Sequence, residues 1–270
     1  MIHNTAFISP KAKIGANVNI GPGVQIDDDC VVGDDCEIRS HAVITGRAIL
    51  GKGNQLGYGA IIGAEPQDLS YKGDASRVVI GDRNIIREYV TVHRGTKVGT
   101  ETRIGNENYL MVGCHIAHNC VIGNKTVIVN NVLLAGYVEV EDNAFLGGAA
   151  VVHQYVRIGH LAIIRGQTRI GKDLPPYFMA VDTNEVSGLN RIGMRRAGMA
   201  EDARRRIQLA YKYLYQSGLN VSQALEKIEK ELIGEEITRL LTFIRKSKRG
   251  ICLTHGANRS VGQPVHGEEL

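Results

Sequence analysis

The sequence predicts a mainly β fold: a parallel β-helix built of hexapeptide repeats, followed by a small C-terminal α-helical domain. Three observations carry this. An aliphatic residue recurs every sixth position through most of residues 14–170. The 270 residues include 32 Gly, no Trp and only four Phe, which suits an interior of small and branched aliphatics. From about residue 198 the apolar spacing becomes that of an amphipathic helix.

The repeat begins at Ile14 and steps through Ile20, Ile26, Val32, Ile38, Ile44, Leu50 and Leu56 to Ile62. Asp68 and Asp74 occupy the next two slots. The same phase then resumes at Ile80 and runs through Ile86, Val92, Val98, Ile104, Leu110, Ile116, Ile122, Ile128, Leu134, Val140, Leu146, Val152, Ile158 and Ile164 to Ile170. Such a period is the signature of a β-helix in which three hexapeptides close one triangular coil. Residues i and i+18 then stack at the inter-strand spacing of about 4.8 Å, with the aliphatic pointing into the prism.

Residues 64–78, AEPQDLSYKGDASRV, put aspartates where aliphatics belong, so a loop leaves the coil there. The polar run 94–103, RGTKVGTETR, predicts a second loop, with Val98 in phase by accident. Loops on a rigid scaffold are where binding residues concentrate. The period stops at GKDLPPY, because Pro175-Pro176 cannot continue a ladder. Beyond it, MAEDARRRIQLAYKYLYQSG places Ile207, Ala210, Tyr211 and Leu214 on one helical face and closes at Gly218. NVSQALEKIEKEL and EEITRLLTFIRKS predict two more helices. The expected organisation is a β-helix over 1–172, a linker over 173–197, a helical domain over 198–250 and a disordered tail over 251–270.

Composition narrows the function. The N-terminus MIHNTAFISPKAKIG has neither a basic nor an apolar signal region and no stretch approaches a membrane span, so a cytoplasmic protein without a transmembrane segment is expected. Five cysteines form no disulfide framework. The net charge of +4 is uneven: residues 1–170 hold 16 Lys/Arg against 16 Asp/Glu, whereas 171–250 hold 15 against 10. The C-terminal part therefore favours an acidic partner, while the lack of a basic stripe interleaved with aromatics argues against nucleic acid.

The run HIAHNC (115–120) carries the chemistry. Cys114 and Cys120 sit two before an inward aliphatic, as Cys30 and Cys36 do, and read as small hydrophobes packed at a corner. His118 follows Ile116 by two and faces outward, with Gly136 and Gln154 stacked above it at steps of eighteen. An imidazole beside a bare glycine supplies a general base and an approachable N–H, as acyl transfer requires. Spacing alone leaves an exposed polar histidine as the simpler reading.

The ordered runs HRGT (93–96), HIAHNC, LAG (134–136), VVHQY (151–155) and DLPPY (173–177) resemble one family, the acyl-carrier-protein-dependent UDP-N-acetylglucosamine O-acyltransferases that begin lipid A synthesis. The resemblance spans essentially residues 1–250 and implies a left-handed coil, an exception to the usual crossover rule. It implies that His118 is the general base and that the Gly136 N–H forms the oxyanion hole. Gln67 and Asp68 would contact the sugar, and His115 and His153 would line the cleft. Gln154, Asn190 and Arg196 would lie near the nucleotide, partly from an adjacent subunit, and Gly166 would limit acyl length. Simpler readings stay open: a packed His115, a solvated helix charge at Arg196 and a tight coil corner at Gly166.

The implied reaction moves an R-3-hydroxyacyl chain from acyl carrier protein to the 3-position of UDP-N-acetylglucosamine in a homotrimer. It needs no metal or organic cofactor beyond the donor's own phosphopantetheine. Charge suggests that the carrier protein docks near Arg191, Arg195, Arg196 and Arg204–Arg206. The chain departs from the family at Tyr137, where His is usual, and at Asn119, where Asp is often found, which keeps a 3-amino acceptor sugar in play. A rival reading is a zinc hydratase like the gamma-class carbonic anhydrases, with His115, His118 and His153 as ligands.

Overall fold

The computed structural model describes residues 1–254. Two-residue strands, each ending in the aliphatic of the repeat, stack into three parallel sheets that form the faces of a triangular prism. The first face runs in nine strands from Phe7–Ile8 to Arg169–Ile170 and the second in eight from Lys13–Ile14 to Arg157–Ile158. The third starts at Asn19–Ile20, passes through Ile163–Ile164 and is extended by Phe178–Val181 and Glu185–Leu189. The repeat aliphatics from Ile20 to Ile170 are buried, Val98 apart. Cys30, Cys36, Cys114 and Cys120 fill the corners behind them as free thiols, and burial pushes those of Cys114 and Cys120 up to about 12.

Most repeat strands are followed by a corner whose third residue after the aliphatic has positive φ, as at Asn119 (61°), Tyr137 (60°) and Tyr155 (64°). Side chains resist this conformation, and inter-coil hydrogen bonds hold it. The Tyr137 N–H donates to the His118 carbonyl at 3.0 Å, and the Tyr155 N–H to that of Gly136 at 3.1 Å. Inside the edge between the second and third faces, the buried amides of Asn54, Asn84 and Asn108 run on to Thr126 as a hydrogen-bonded ladder.

The loops are tighter than the sequence suggested. The first covers 65–76, since Ala64 closes the strand Ile61–Ala64, and Arg77 and Val78 belong to Arg77–Ile80. The second covers 94–100, since Glu101–Ile104 pairs with Arg77–Ile80. Val98 is 72% exposed. Leu50 pairs with Ile80 and Val92 with Ile116, offsets of 30 and 24 in place of 18. Both insertions are multiples of six, which is why the phase survived them.

Residues 173–197, read as a linker, are structured. Phe178–Val181 pairs with the last third-face strand, and Glu185–Leu189 returns antiparallel to it. Helix α1 (Arg191–Arg196) follows, then α2 (Glu201–Tyr215), α3 (Val221–Glu231) and α4 (Glu235–Arg245). A prism exposes the open ladder of its last coil, and this hairpin covers part of it. Ile251 and Cys252 are buried and Leu253 packs against the core, so the expected tail does not begin at 251; residues 255–270 lie outside the described residues.

Candidate active site on one edge of the prism

His118, Gly136 and Gln154 stack along the edge between the first and second faces. His118 is only 5% exposed, although its position is outward, because the 65–76 loop folds over it. Its ring lies directly above Gly136, where an added Cβ would come within 2.6 Å of Nε2. Only glycine fits there. On the next edge, the corresponding N–H groups of Asn106 and Asn124 are taken by Asn124 and Asp142 side chains at 2.8 and 2.6 Å. Above Gly136 that slot holds Gln154, and no acceptor among the described residues takes the Gly136 N–H. It is a donor left open beside an imidazole.

The tautomer of His118 follows from its neighbours. The Thr96 backbone N–H, which can only donate, lies 3.2 Å from Asn119 Oδ1, and the Thr96 hydroxyl donates to the same oxygen at 3.0 Å. That oxygen is 3.1 Å from His118 Nδ1, so Nδ1 carries the proton and donates it. Nε2 keeps its lone pair. Tyr137 meets the ring edge-on at 5.4 Å and reaches the Thr96 hydroxyl at 3.1 Å, while its other side stacks on Tyr155 at 4.8 Å.

Asp68 Oδ2 lies 3.7 Å from Nε2, too far for a direct hydrogen bond. Its other oxygen accepts from the Ser70 hydroxyl at 2.7 Å and N–H at 2.8 Å, and these bonds hold the carboxyl below its usual range. The mostly buried Arg94 pins the loop, donating to the Gly63 carbonyl, Glu65 and the Tyr71 hydroxyl at 2.9, 3.1 and 2.8 Å. Two further imidazoles line the floor. His115 shares a hydrogen with Thr91 at 2.7 Å, and His93 meets it edge-on at 4.8 Å. Burial, then the charges of His115, His118 and Arg94, lowers the His93 pKa to about 4. His115 is lowered by burial and then by His118. Sequence reasoning quoted HRGT but singled out neither His93, Arg94 nor Thr96; its signal was a histidine directly after the inward Val92.

Other expected site residues lie apart. Gln67 is exposed on the loop, and His153 is exposed with Nδ1 3.2 Å from the Gln154 carbonyl. Asn190, expected near the nucleotide, lies at the start of α1. It is buried as the N-cap of α1, accepting from the Gly193 N–H and donating to the Leu161 carbonyl, both at 2.8 Å. It sits on the edge between the second and third faces, with one amide hydrogen given to the Leu161 carbonyl. Arg196 is exposed in the last turn of α1. Gly166 lies on the third edge, stacked on Gly148, so within one chain it does not continue the His118 column. As for the zinc reading, His115 Nδ1 is engaged by Thr91, and among the described residues no group of three or more His, Cys, Asp or Glu could hold a metal ion.

Comparison with known proteins fits this geometry. A family model described as UDP N-acetylglucosamine O-acyltransferase, domain 2, matches residues 173–252, and the bacterial transferase hexapeptide model matches 11–46 and 101–136. The chain is 44% identical over 199 residues to the acyl-[acyl-carrier-protein]–UDP-N-acetylglucosamine O-acyltransferase of Gloeothece citriformis, covering 73% of this chain and 72% of the relative. It is 45% identical over 260 residues to the Burkholderia orbicola protein of the same name, covering 93% and 98%. The solved UDP-N-acetylglucosamine acyltransferase LpxA of Bacteroides fragilis superposes with a TM-score of 0.91 at 44% identity, over 93% of this chain and 99% of that one.

Proposed function

Because the chain belongs to the UDP-N-acetylglucosamine O-acyltransferase family, with its left-handed parallel β-helix, we propose that its prism edge transfers an R-3-hydroxyacyl group from acyl carrier protein to the 3-hydroxyl of UDP-N-acetylglucosamine, the first step of lipid A biosynthesis. The observation that carries the mechanism is the His118 ring above Gly136, with the Nε2 lone pair and the Gly136 N–H both unengaged.

His118 Nε2 takes the proton of the 3-hydroxyl as its oxygen attacks the thioester carbonyl. The tetrahedral oxyanion is held by the Gly136 N–H. Collapse breaks the carbon–sulfur bond, and the leaving thiolate recovers the proton from His118. Asn119 keeps the ring in the tautomer that can do this. Asp68, held ionised by Ser70, faces the acceptor side and takes hydrogen bonds from sugar hydroxyls. These steps draw on side chains and one backbone N–H, and the only prosthetic group they involve is the phosphopantetheine that the donor carries.

The working unit in this reading is a cytoplasmic homotrimer. Supporting it, the first face presents exposed Leu133 and Val151 in register beside His115, and Gly166 lies on a different edge from His118. A neighbouring prism would cover the one and bring the other to the cleft. Among the described residues, no helix is long and apolar enough to cross a membrane.

Mass spectrometry of products from UDP-N-acetylglucosamine and its 3-amino analogue, with a panel of hydroxyacyl carrier proteins, tests the reaction. O-acylated sugar is the expected product; faster acylation of the amine would move the assignment to an N-acyltransferase.

A further inference from the structure

Arg94 occupies the rung below the base. It follows the inward Val92 by two, as His118 follows Ile116, and Val92 pairs with Ile116, so both side chains leave the prism on the same edge. The corner at Gly46 makes room for it: an added Cβ there would come within 2.9 Å of the Arg94 Cδ. The Arg94 side chain is 14% exposed. Its Nη1 donates to the Gly63 carbonyl at 2.9 Å, and its Nη2 to Glu65 Oε1 at 3.1 Å and to the Tyr71 hydroxyl at 2.8 Å. Gly63 belongs to the strand Ile61–Ala64, whereas Glu65 and Tyr71 belong to the loop. These two loop anchors stand three residues before and three residues after Asp68.

We propose that Arg94 is a positioning residue for the acceptor sugar, acting through Asp68. The inference rests on the acyl-transfer reading and deepens it. Two steps fix the carboxylate. Within the loop, the Ser70 hydroxyl and N–H hold Asp68 Oδ1, which leaves Oδ2 facing His118 Nε2 at 3.7 Å. At that spacing one sugar can meet both groups, its 3-hydroxyl on Nε2 and a neighbouring hydroxyl on Oδ2. Between loop and prism, the planar fork of one guanidinium bonds to the strand and to both sides of the Asp68 turn. An ammonium, a point charge on a flexible stem, does not hold three acceptors in that arrangement.

The anchors are not equal. The Glu65 carboxylate is 71% exposed, and an ion pair so open to water contributes little. Pro66 is buried, so the residues before Asp68 have a second hold. The Tyr71 hydroxyl fixes the residues after it: it donates to the Asp74 carbonyl at 3.2 Å and accepts from Arg94, whose guanidinium lies 5.6 Å from the ring centre. The far end of the loop is tied down separately, by the Ser76 hydroxyl on the Gly95 carbonyl and the Gly99 N–H on the Ala75 carbonyl. Cutting the Arg94 anchors therefore loosens the Asp68 stretch without detaching the loop.

The test cuts them on the loop side, where the prism is untouched, with Glu65→Ala/Tyr71→Phe; Arg94→Lys is a second variant that keeps the charge. KM for UDP-N-acetylglucosamine should rise about tenfold, as for the loss of one hydrogen bond to a charged group, while KM for the acyl donor stays near that of the wild type and kcat falls less than KM rises. In an Asp68→Asn background the same loop substitutions should add little, because the carboxylate they position is gone. An unchanged KM for the sugar, or an effect equally large without the Asp68 carboxylate, overturns the assignment. Reaction of His118 with diethylpyrocarbonate, followed by peptide mass spectrometry, is read in parallel and needs no turnover. The loop variant should react faster as the ring loses its cover, and an unchanged rate would mean that the anchors do not hold the loop. No turnover by the wild type with any carrier-bound donor would instead sink the acyl-transfer reading, and the acceptor role of Arg94 with it.

Discussion

At His118 the chemistry rests on a short chain of hydrogen bonds: Thr96 orients the Asn119 amide, Asn119 Oδ1 accepts a hydrogen bond from Nδ1–H, and Nε2 faces the acceptor side. His118→Ala should lower kcat by about 10²–10⁴-fold while the melting temperature shifts by only a few degrees, because the ring belongs to the site and not to the prism interior. Near-normal kcat would reassign the base. Gly136→Val should be comparably severe, since its Cβ would displace the ring.

His93 makes a separate prediction about pH. Its pKa of about 4 in the folded chain lies below the 6.5 of an unfolded histidine, so between these values the unfolded chain binds the extra proton. Its contribution is therefore fully present above pH of about 6.5 and is lost as pH falls toward about 4. The full shift corresponds to on the order of 3 kcal/mol. His93→Gln should flatten the fall in melting temperature across that window, and an unchanged slope would remove His93 as its source.

At the level of the repeat, corners hold non-glycine residues at positive φ, and Ala149 (φ 57°) is an exposed example without a side chain that could hydrogen-bond locally. Ala149→Gly should stabilise the protein by about 1 kcal/mol, read as a higher melting temperature. A loss instead would mean that the ladder already removes the strain. The repeat itself was legible because one side chain in six must enter the prism, and that constraint survives any choice of corner residue. The capping hairpin from Phe178 to Leu189 was not legible. Its alternation is short, and its pairing with the strand Ile163–Ile164 is a contact only the folded coil creates. The loops were placed to within three residues, since strand Glu101–Ile104 is polar on its outward side and looks like loop.

Assembly sets what the whole molecule can do. Sedimentation should give a particle of three 29.4 kDa chains, and a stable, active monomer would end the trimer reading. Gly166 then tests how neighbours meet. It has room for a Cβ at 3.2 Å from the Gly148 carbonyl oxygen, so Gly166→Met is sterically tolerable with a small shift. The wild type should prefer donors of about 12–14 carbons over about 10, each buried methylene contributing about 0.8 kcal/mol, and the Met variant should move to shorter chains with little loss of rate. If selectivity is unchanged, the acyl groove does not end at this edge.

The sequence by itself determined the coil, its inward residues and the stacking of His118 on Gly136, because a period of six converts position directly into place. It also located both loops, through aspartates and polar runs that no prism interior accepts. Only the tertiary structure decided that the 65–76 loop buries His118, that Asn190 is a helix cap and that Arg94 pins Asp68 over the base. Only it put Lys246, Lys248 and Arg249 in one groove with Tyr137 and Tyr155. The physical reason is that periodic positions are constrained by the backbone ladder, whereas loop closure, capping and ion pairing depend on side chains that meet across coils with no fixed spacing along the chain.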